Sequence, residues 1–298
     1  MNYHFSIVLC LQNCESTILE ALDSLPKDKN IEMIVIFNHS TDNTFSIVQK
    51  KLPQANIIKT PISNLSYARN LGVSMAHSPY VAFMDGDDIS FPHRFYQHFD
   101  FLEKNRNIAG VGGQCILFDD IHSMKTNLFL EPQEIEIDAL FRVPLFLGSG
   151  MIRKELFQKI GYPLMPMAGD WQLLIELMHQ KYSFVNLDDA SLYYRQHHKN
   201  ITTDMRNDDL LWKNVTSALR ANRLLQYNCV LLPKELELFL RSSCSVHKLF
   251  FSELSIRKEE MIEVENIFYK ILHYIPKEKQ QAAQKVFNMH YSILKNYS

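Results

Sequence analysis

The chain has 298 residues, 46% hydrophobic and 21% charged, with 9 glycines and 11 prolines. This composition provides a core for one large domain with an appendage, or for two modest domains, and excludes disordered and collagen-like classes. A formal net charge of −2 gives no bulk attraction to nucleic acid, so no nucleic-acid partner is expected.

The first half alternates strand and helix signals. Phe5–Leu11 is a compact apolar run and reads as a buried strand. Ile18, Leu19, Leu22 and Leu25 have helical spacing, and Pro26 stops that helix. A second strand follows at Ile31–Phe37. Ser40-Thr41-Asp42 then offers N-cap chemistry to a helix bearing Phe45, Ile47 and Val48. Asn56–Lys59 reads as a third strand, Leu65–Ala76 as a helix and Tyr80–Met84 as a fourth strand. Pro92 opens the next helix at its first turn. Further on, strands are expected at Val111–Phe118, Gly148–Ile152, Ser183–Leu187 and Ser191–Arg195, with helices at Arg153–Ile160 and Asp170–Gln180.

This alternation implies an α/β fold with a mostly parallel sheet flanked by helices. From about Met205 helical spacing takes over, as at Val264, Ile267, Phe268, Ile271 and Ile275. We therefore place a catalytic domain at 1–204, with halves at about 1–110 and 111–204, and a helical extension at 205–298. The extension's apolar stripes read as core. Phe250-Phe251 with Lys248 and Arg257 could also face a membrane or partner, and Trp212 is expected to pack between extension and domain.

Cysteines at 10, 14, 115, 229 and 244 form no CxxC, so free thiols in a reducing compartment are the simplest reading. The amino terminus lacks a basic signal-peptide start, and no apolar run approaches ~18 residues. A cytoplasmic chain without a transmembrane segment is expected, with peripheral attachment to a membrane left open.

Asp85-Gly86-Asp87-Asp88 follows the fourth strand directly, where open α/β sheets bind ligands. Residues two apart on an extended segment point the same way, so Asp85 and Asp87 can aim two hard oxygen donors at one Mg²⁺ or Mn²⁺. A solvated acidic turn is the plainer alternative, since D-x-D alone is common.

Several motifs occur in order. They are Ser6-Ile-Val-Leu9 with Asn13 and Glu15, Glu20-Ala-Leu-Asp-Ser-Leu25, Ser40-Thr-Asp-Asn-Thr44, Ala68-Arg-Asn-Leu-Gly72 and Tyr80-Val-Ala-Phe-Met-Asp-Gly-Asp-Asp88, followed by Pro92. The ordered set resembles family 2 glycosyltransferases from about residue 5 to 203. The resemblance implies a GT-A fold, a nucleotide-sugar donor, with UDP the first choice of nucleotide, and an inverting displacement onto a glycan, lipid-linked or protein acceptor. It places Asp85 and Asp87 on the metal motif, with Asp85 and Asp88 beside the donor and Arg69 near it. Asp170 of Gly169-Asp-Trp171 falls on the general base, although Asp before a helix also serves as an N-cap. His197, in Tyr194-Arg-Gln-His-His-Lys-Asn200, matches a segment near the donor diphosphate and could complete the metal shell; Arg195, His198 and Lys199 flank it. Ser149, Gly150 and Trp171 fall on the acceptor side.

The donor pocket departs from the family pattern. Two aspartates usual after the second strand are Phe37 and Asn38, the next glycine is His39, and an aromatic that often stacks on uracil is Gln12. Asn38 and Gln12 are accordingly the expected donor contacts there. A nucleotidyltransferase would carry a Gly-rich, basic phosphate loop, and residues 10–16 contain no Gly, Lys or Arg. A non-catalytic protein that kept the fold is a further alternative, favoured by Phe37-Asn38 and opposed by Asp85, Asp87 and Asp170.

Overall fold

The computed structural model describes residues 3–165, 167–197, 209–242 and 256–297. The expected boundary near 205, His198, Lys199, Lys248, Phe250, Phe251 and the side chain of Trp212 lie outside the described residues.

Four parallel strands form one wing of a nine-stranded sheet: β1 (Phe5–Leu11), β2 (Ile31–Asn38), β3 (Asn56–Thr60) and β4 (Tyr80–Asp85), in the order β3-β2-β1-β4. The mostly apolar β1, β2 and β4 follow from burial on both faces, every residue of β1 and β2 being buried, whereas β3 at the edge is partly exposed. Helices α1 (Ile18–Asp23), α2 (Thr44–Lys51) and α3 (Leu65–Met75) are the crossovers. Cys10 lies level with both Ile36 and Asp85, so the carboxyl ends of β1, β2 and β4 meet at one edge.

The other wing is mixed. The short strand β5 (Ile89–Ser90) is followed by α4 (Arg94–Lys104), β6 (Ile108–Phe118), β7 (Ser123–Lys125), α5 (Pro132–Asp138), a 3₁₀ turn at Leu147–Ser149, and β8 (Met151–Arg153). Then come α6 (Lys154–Ile160), α7 (Gly169–His179) and β9 (Ser183–Arg195). β8 runs antiparallel to β4 and β6, whereas β9 runs parallel to β6. The sheet is thus parallel in its first half and mixed in its second.

Several local expectations change. Pro92 lies outside α4, whose N-cap is His93. The strand expected from Gly148 is a 3₁₀ turn leading into β8. The two strands expected at 183–187 and 191–195 are one strand, β9, with irregular pairing to β6 at Gly113–Cys115.

Beyond residue 208 the described elements are helical: α8 (Asp209–Gln226), α9 (Pro233–Ser242), α10 (Met261–Tyr274) and α11 (Gln280–Tyr297). Their apolar faces join the core that begins in the sheet. Phe141, just after α5, packs edge-on against Phe239, Phe268 and Phe287 and stacks on His290. The end of α5 is bound by charge as well. Asp138 receives Arg142 at 2.6 Å and His290 at 2.7 Å, while Glu136 receives Arg223 at 3.0 Å and Lys279 at 2.7 Å. None of the helices in the described residues is long and apolar enough to cross a membrane.

Candidate active site

The acidic turn leaves β4 at the shared carboxyl edge, and its position is fixed from behind. Arg94, fully buried, donates to the Phe83 carbonyl at 3.0 Å, the Gly148 carbonyl at 2.8 Å and the Ser90 hydroxyl at 2.8 Å. It ties the end of β4 to the 3₁₀ turn. Burial pulls its guanidinium down to about 10, where it remains charged at neutral pH. Gly86 sits so close to the core that a Cβ would lie 2.6 Å from Cys14 Sγ and 2.8 Å from Leu11 Cδ2. The room this glycine provides is therefore on the core side. Burial pushes the Cys10 and Cys14 thiols up to about 12, so neither offers a thiolate to the site at neutral pH.

The sequence brings Asp85, Arg69 and Asp170 together from β4, α3 and α7. Arg69 Nη1 donates to Asp170 Oδ1 at 2.6 Å, and Nη2 lies 3.4 and 3.5 Å from the two Asp85 oxygens. Its side chain is 5% exposed, against 28% for Asp85 and 26% for Asp170. Burial opposes the Arg69 charge, but Asp170 and Asp85 outweigh it and hold the guanidinium more firmly protonated than usual. Tyr162 also takes a hydrogen bond from Arg69. Arg69 thus lies beneath two carboxylates, which is a different position from an exposed phosphate clamp. Helix α7 starts one residue earlier than expected, with Ala168 as N-cap in the left-handed region at φ +55°, so Asp170 does not cap it. Its carboxylate is turned to Arg69 instead.

The second acidic pair points elsewhere. Pairing of β5 with β9 draws the end of β9 over the turn. Arg195 donates its backbone N–H to Asp88 at 3.0 Å and its Nε–H to the Asp87 carbonyl at 2.9 Å, and it pairs with Glu20. His197 Nε2 comes to 3.1 Å from Asp87 Oδ2, each side chain being a little over a quarter exposed. Asp88, expected beside the donor, is 1% exposed and accepts the Arg195 N–H from β9. Burial raises its carboxyl well above the ordinary value, reinforced by the charges of Asp87 and Asp85. Asp85 is raised too, by burial first, with Arg69 opposing and Asp87 and Asp170 adding to it.

A divalent ion fits this donor set in one way. Among the described residues no group of three or more His, Cys, Asp or Glu side chains is gathered for a metal. The 3.1 Å contact of His197 Nε2 with Asp87 Oδ2 is a hydrogen bond, and an ion held by the two would take the place of its proton. Mg²⁺-type ions characteristically take one or two protein ligands and fill the rest with water and phosphate oxygens.

At the expected nucleotide end, Gln12 is exposed and its amide is oriented by two partners. Its Nε2 donates to Ser63 at 2.9 Å, and its Oε1 accepts from Asn38 at 3.4 Å. Asn38 is 2% exposed and also accepts the Asn64 N–H at 3.0 Å, so it lies behind Gln12. His39, where the pattern has glycine, adopts φ +58°, a conformation costly for a side-chain-bearing residue. On the expected acceptor side, Ser149, Gly150 and Trp171 are all buried. The Ser149 hydroxyl donates to the Phe146 carbonyl and the Trp171 indole N–H to the Ala139 carbonyl, so these side chains brace the site from inside. Sequence reasoning missed Arg94 and Tyr162. The one local signal for Arg94 was a cation on the apolar face of α4, beside Phe95, His98 and Leu102.

With this geometry in view, the comparisons are specific. Residues 6–161 match the model of glycosyl transferase family 2, and the chain belongs to that family. The putative glycosyltransferase EpsE of Bacillus subtilis is 33% identical over 53% of this chain and 59% of its own length. The chain therefore spans under two thirds of that relative. The Escherichia coli UDP-Glc:alpha-D-GlcNAc-diphosphoundecaprenol beta-1,3-glucosyltransferase WfaP is 24% identical over 72% of this chain and 86% of its own. Among solved structures, S. aureus TarS 1-349 in complex with UDP-GlcNAc superposes with a TM-score of 0.60 at 17% identity, covering 100% of this chain and 91% of that one. A mannosyltransferase from Pyrobaculum calidifontis, in complex with GDP-Man and Mn2+, gives 0.56 at 12% identity, covering 98% and 87%. At such identities these neighbours establish the α/β GT-A fold.

Proposed function

We propose that the chain transfers a sugar from a nucleotide-sugar donor, UDP-linked in the first instance, to a hydroxyl of a glycan, lipid-linked or protein acceptor in surface polysaccharide or glycoconjugate assembly. The observation that carries this is the junction of Asp85 and Asp170 through one buried Arg69, beside the Asp87–His197 pair. Asp170 accepts the acceptor hydroxyl proton as its oxygen forms a bond to the anomeric carbon. The bond from that carbon to the donor phosphate breaks, and the nucleoside diphosphate departs with the electron pair. Attack from the face opposite the leaving group inverts the configuration. Arg69 orients the Asp170 carboxylate for this task. Asp87 and His197 would hold Mn²⁺ or Mg²⁺, with Asp85 alongside, and such an ion supplies charge neutralisation to a departing diphosphate. Gln12 meets the base and Asn38 fixes its amide. The undecaprenol-linked substrate named for WfaP supports a lipid-linked acceptor and a cytoplasmic location at a membrane's inner face.

The test is a thermal-shift screen of UDP-glucose and UDP-GlcNAc with and without Mn²⁺. A donor at 100 times its Kd stabilises the native state by about 2.7 kcal/mol. Asp87→Asn and His197→Gln should lose the Mn²⁺-dependent part of the shift. Asp170→Asn should keep it while losing transfer. Absence of any donor-induced shift would favour a non-catalytic protein, the alternative that Phe37-Asn38 in place of the usual aspartates favours.

A further inference from the structure

Among the described residues, helix α8 meets helix α7 beside Asp170. Trp171 follows Asp170 in the first turn of α7 and is 2% exposed. On one side its indole N–H is held by the Ala139 carbonyl at 2.9 Å. Against its ring lies the guanidinium of Arg220 from α8, with Cζ 5.2 Å from a ring centroid. Arg220 is 7% exposed and is itself fixed, donating Nε–H and Nη2–H to the Phe141 carbonyl at 3.3 and 3.1 Å. The indole and the guanidinium thus anchor to carbonyls two residues apart, at the end of α5.

We propose that Arg220 is a positioning residue for Asp170, acting through Trp171, and that the C-terminal helices thereby set the geometry of the reaction. This rests on the assignment of Asp170 as general base. Consecutive residues on a helix differ by about 100° around its axis, so a clamp on Trp171 fixes the angle at which Asp170 projects. A side-chain tip roughly 5–6 Å from the axis moves about 1 Å for a 10° rotation. A displacement of that size can cost about 100-fold in rate. The cation over the indole face, away from water, supplies attraction as well as shape.

Arg223 provides the control. It lies one turn further along α8, is 2% exposed, and its bonds go to Glu136, Gln226 and Tyr227, away from α7. Removing either arginine should destabilise the fold, but Arg220 alone should disturb Asp170. The first measurement is UDP release from UDP-GlcNAc with Mn²⁺. Arg220→Met should lower it 10- to 100-fold while the Mn²⁺–UDP thermal shift is kept. Arg220→Lys, which restores a charge without the planar fork, should recover part of the loss. Arg223→Met should stay within about twofold of the parent at temperatures where it is folded. The second measurement is hydrogen exchange at the amides of Gln172–Ile175, and it needs no turnover. Exchange there should quicken at least tenfold in Arg220→Met and stay near the parent rate in Arg223→Met. Equal effects of the two substitutions, or unchanged exchange in Arg220→Met, would overturn the proposal. Full UDP release by Asp170→Asn would instead remove the general base, and the exchange contrast would still report whether Arg220 braces α7.

Discussion

Replacing Gly86 by alanine tests whether the acidic turn is held by its packing on the core. The backbone at Gly86 is outside the left-handed region, so alanine meets no conformational penalty and the effect is steric. The new Cβ would lie 2.6 Å from Cys14 Sγ and 2.8 Å from Leu11 Cδ2, roughly 1 Å short of an ordinary contact near 3.5–4.0 Å. Both contacting atoms are side-chain ends, but Leu11 and Cys14 are buried and the Cys14 sulfur also meets the Thr44 hydroxyl at 3.8 Å, so the turn takes up part of the displacement. Overpacking of this kind costs about 1–3 kcal/mol. A shift of roughly 1 Å in Asp85 and Asp87 would lower turnover about 100-fold. Chemical denaturation reads the first effect, and UDP release from UDP-GlcNAc with Mn²⁺ reads the second. In Gly86→Ala/Cys14→Ala the sulfur is gone while the Leu11 contact at 2.8 Å remains, so part of the lost turnover should return. Parent-like stability and turnover in the single variant would refute this reasoning, as would a double variant no better than the single.

Arg69→Met leaves two carboxylates without their shared cation. Breaking a buried pair costs about 3–5 kcal/mol, and because Asp85 and Asp170 are each over a quarter exposed, the low end is expected. A denaturation midpoint equivalent to under about 0.5 kcal/mol of loss would show that the cluster is solvated instead. His98 gives a pH dependence away from the site. Burial first, then the charges of Arg94 and His93, lower its pKa to about 3. The unfolded histidine takes up its proton near pH 6.5, so between those values the unfolded state binds more protons. Stability therefore falls by about 1.4 kcal/mol per unit as pH drops from 6.5 toward 3. His98→Gln should flatten that slope in melting curves taken from pH 7 to 5.

Most of the parallel wing was legible because β1, β2 and β4 are buried on both faces, so Phe5–Leu11, Ile31–Phe37 and Tyr80–Met84 read as apolar runs despite Ser6 and Glu32. Helix α5 was not. In Pro132-Gln-Glu-Ile-Glu-Ile-Asp138 the isoleucines alternate with acids, a strand-like period in a helix. The acids find their partners far along the chain, with Glu134 on Lys285, Glu136 on Arg223 and Lys279, and Asp138 on His290. No local window contains that information. β9 was split in two because Asp188-Asp189-Ala190 interrupts its pattern, whereas the structure absorbs them in an irregular stretch opposite β6. At the site, motif order picked out Arg69, Asp85, Asp87, Asp170 and His197, but it could not say how they pair. Two carboxylates at D-x-D spacing look equivalent in sequence. The β5–β9 pairing brings Asp87 to His197, whereas Arg69 of α3 reaches Asp85 at the end of β4 and Asp170 on α7.

That division has a physical consequence for how the site can work. Asp85, Asp87 and Asp170 bring negative charge to one edge, and a diphosphate would add more. Arg69 is too buried to meet the ligand without giving up its carboxylates, so its charge is already committed when a donor arrives. Attraction for the donor must then come from elsewhere at the turn. Asp87 and His197 are a partly exposed pair whose donor atoms would suit a cation once their hydrogen bond opens. Metal and nucleotide would therefore favour each other's binding, since each supplies what the other lacks, and by linkage the enhancement must be the same whichever binds first.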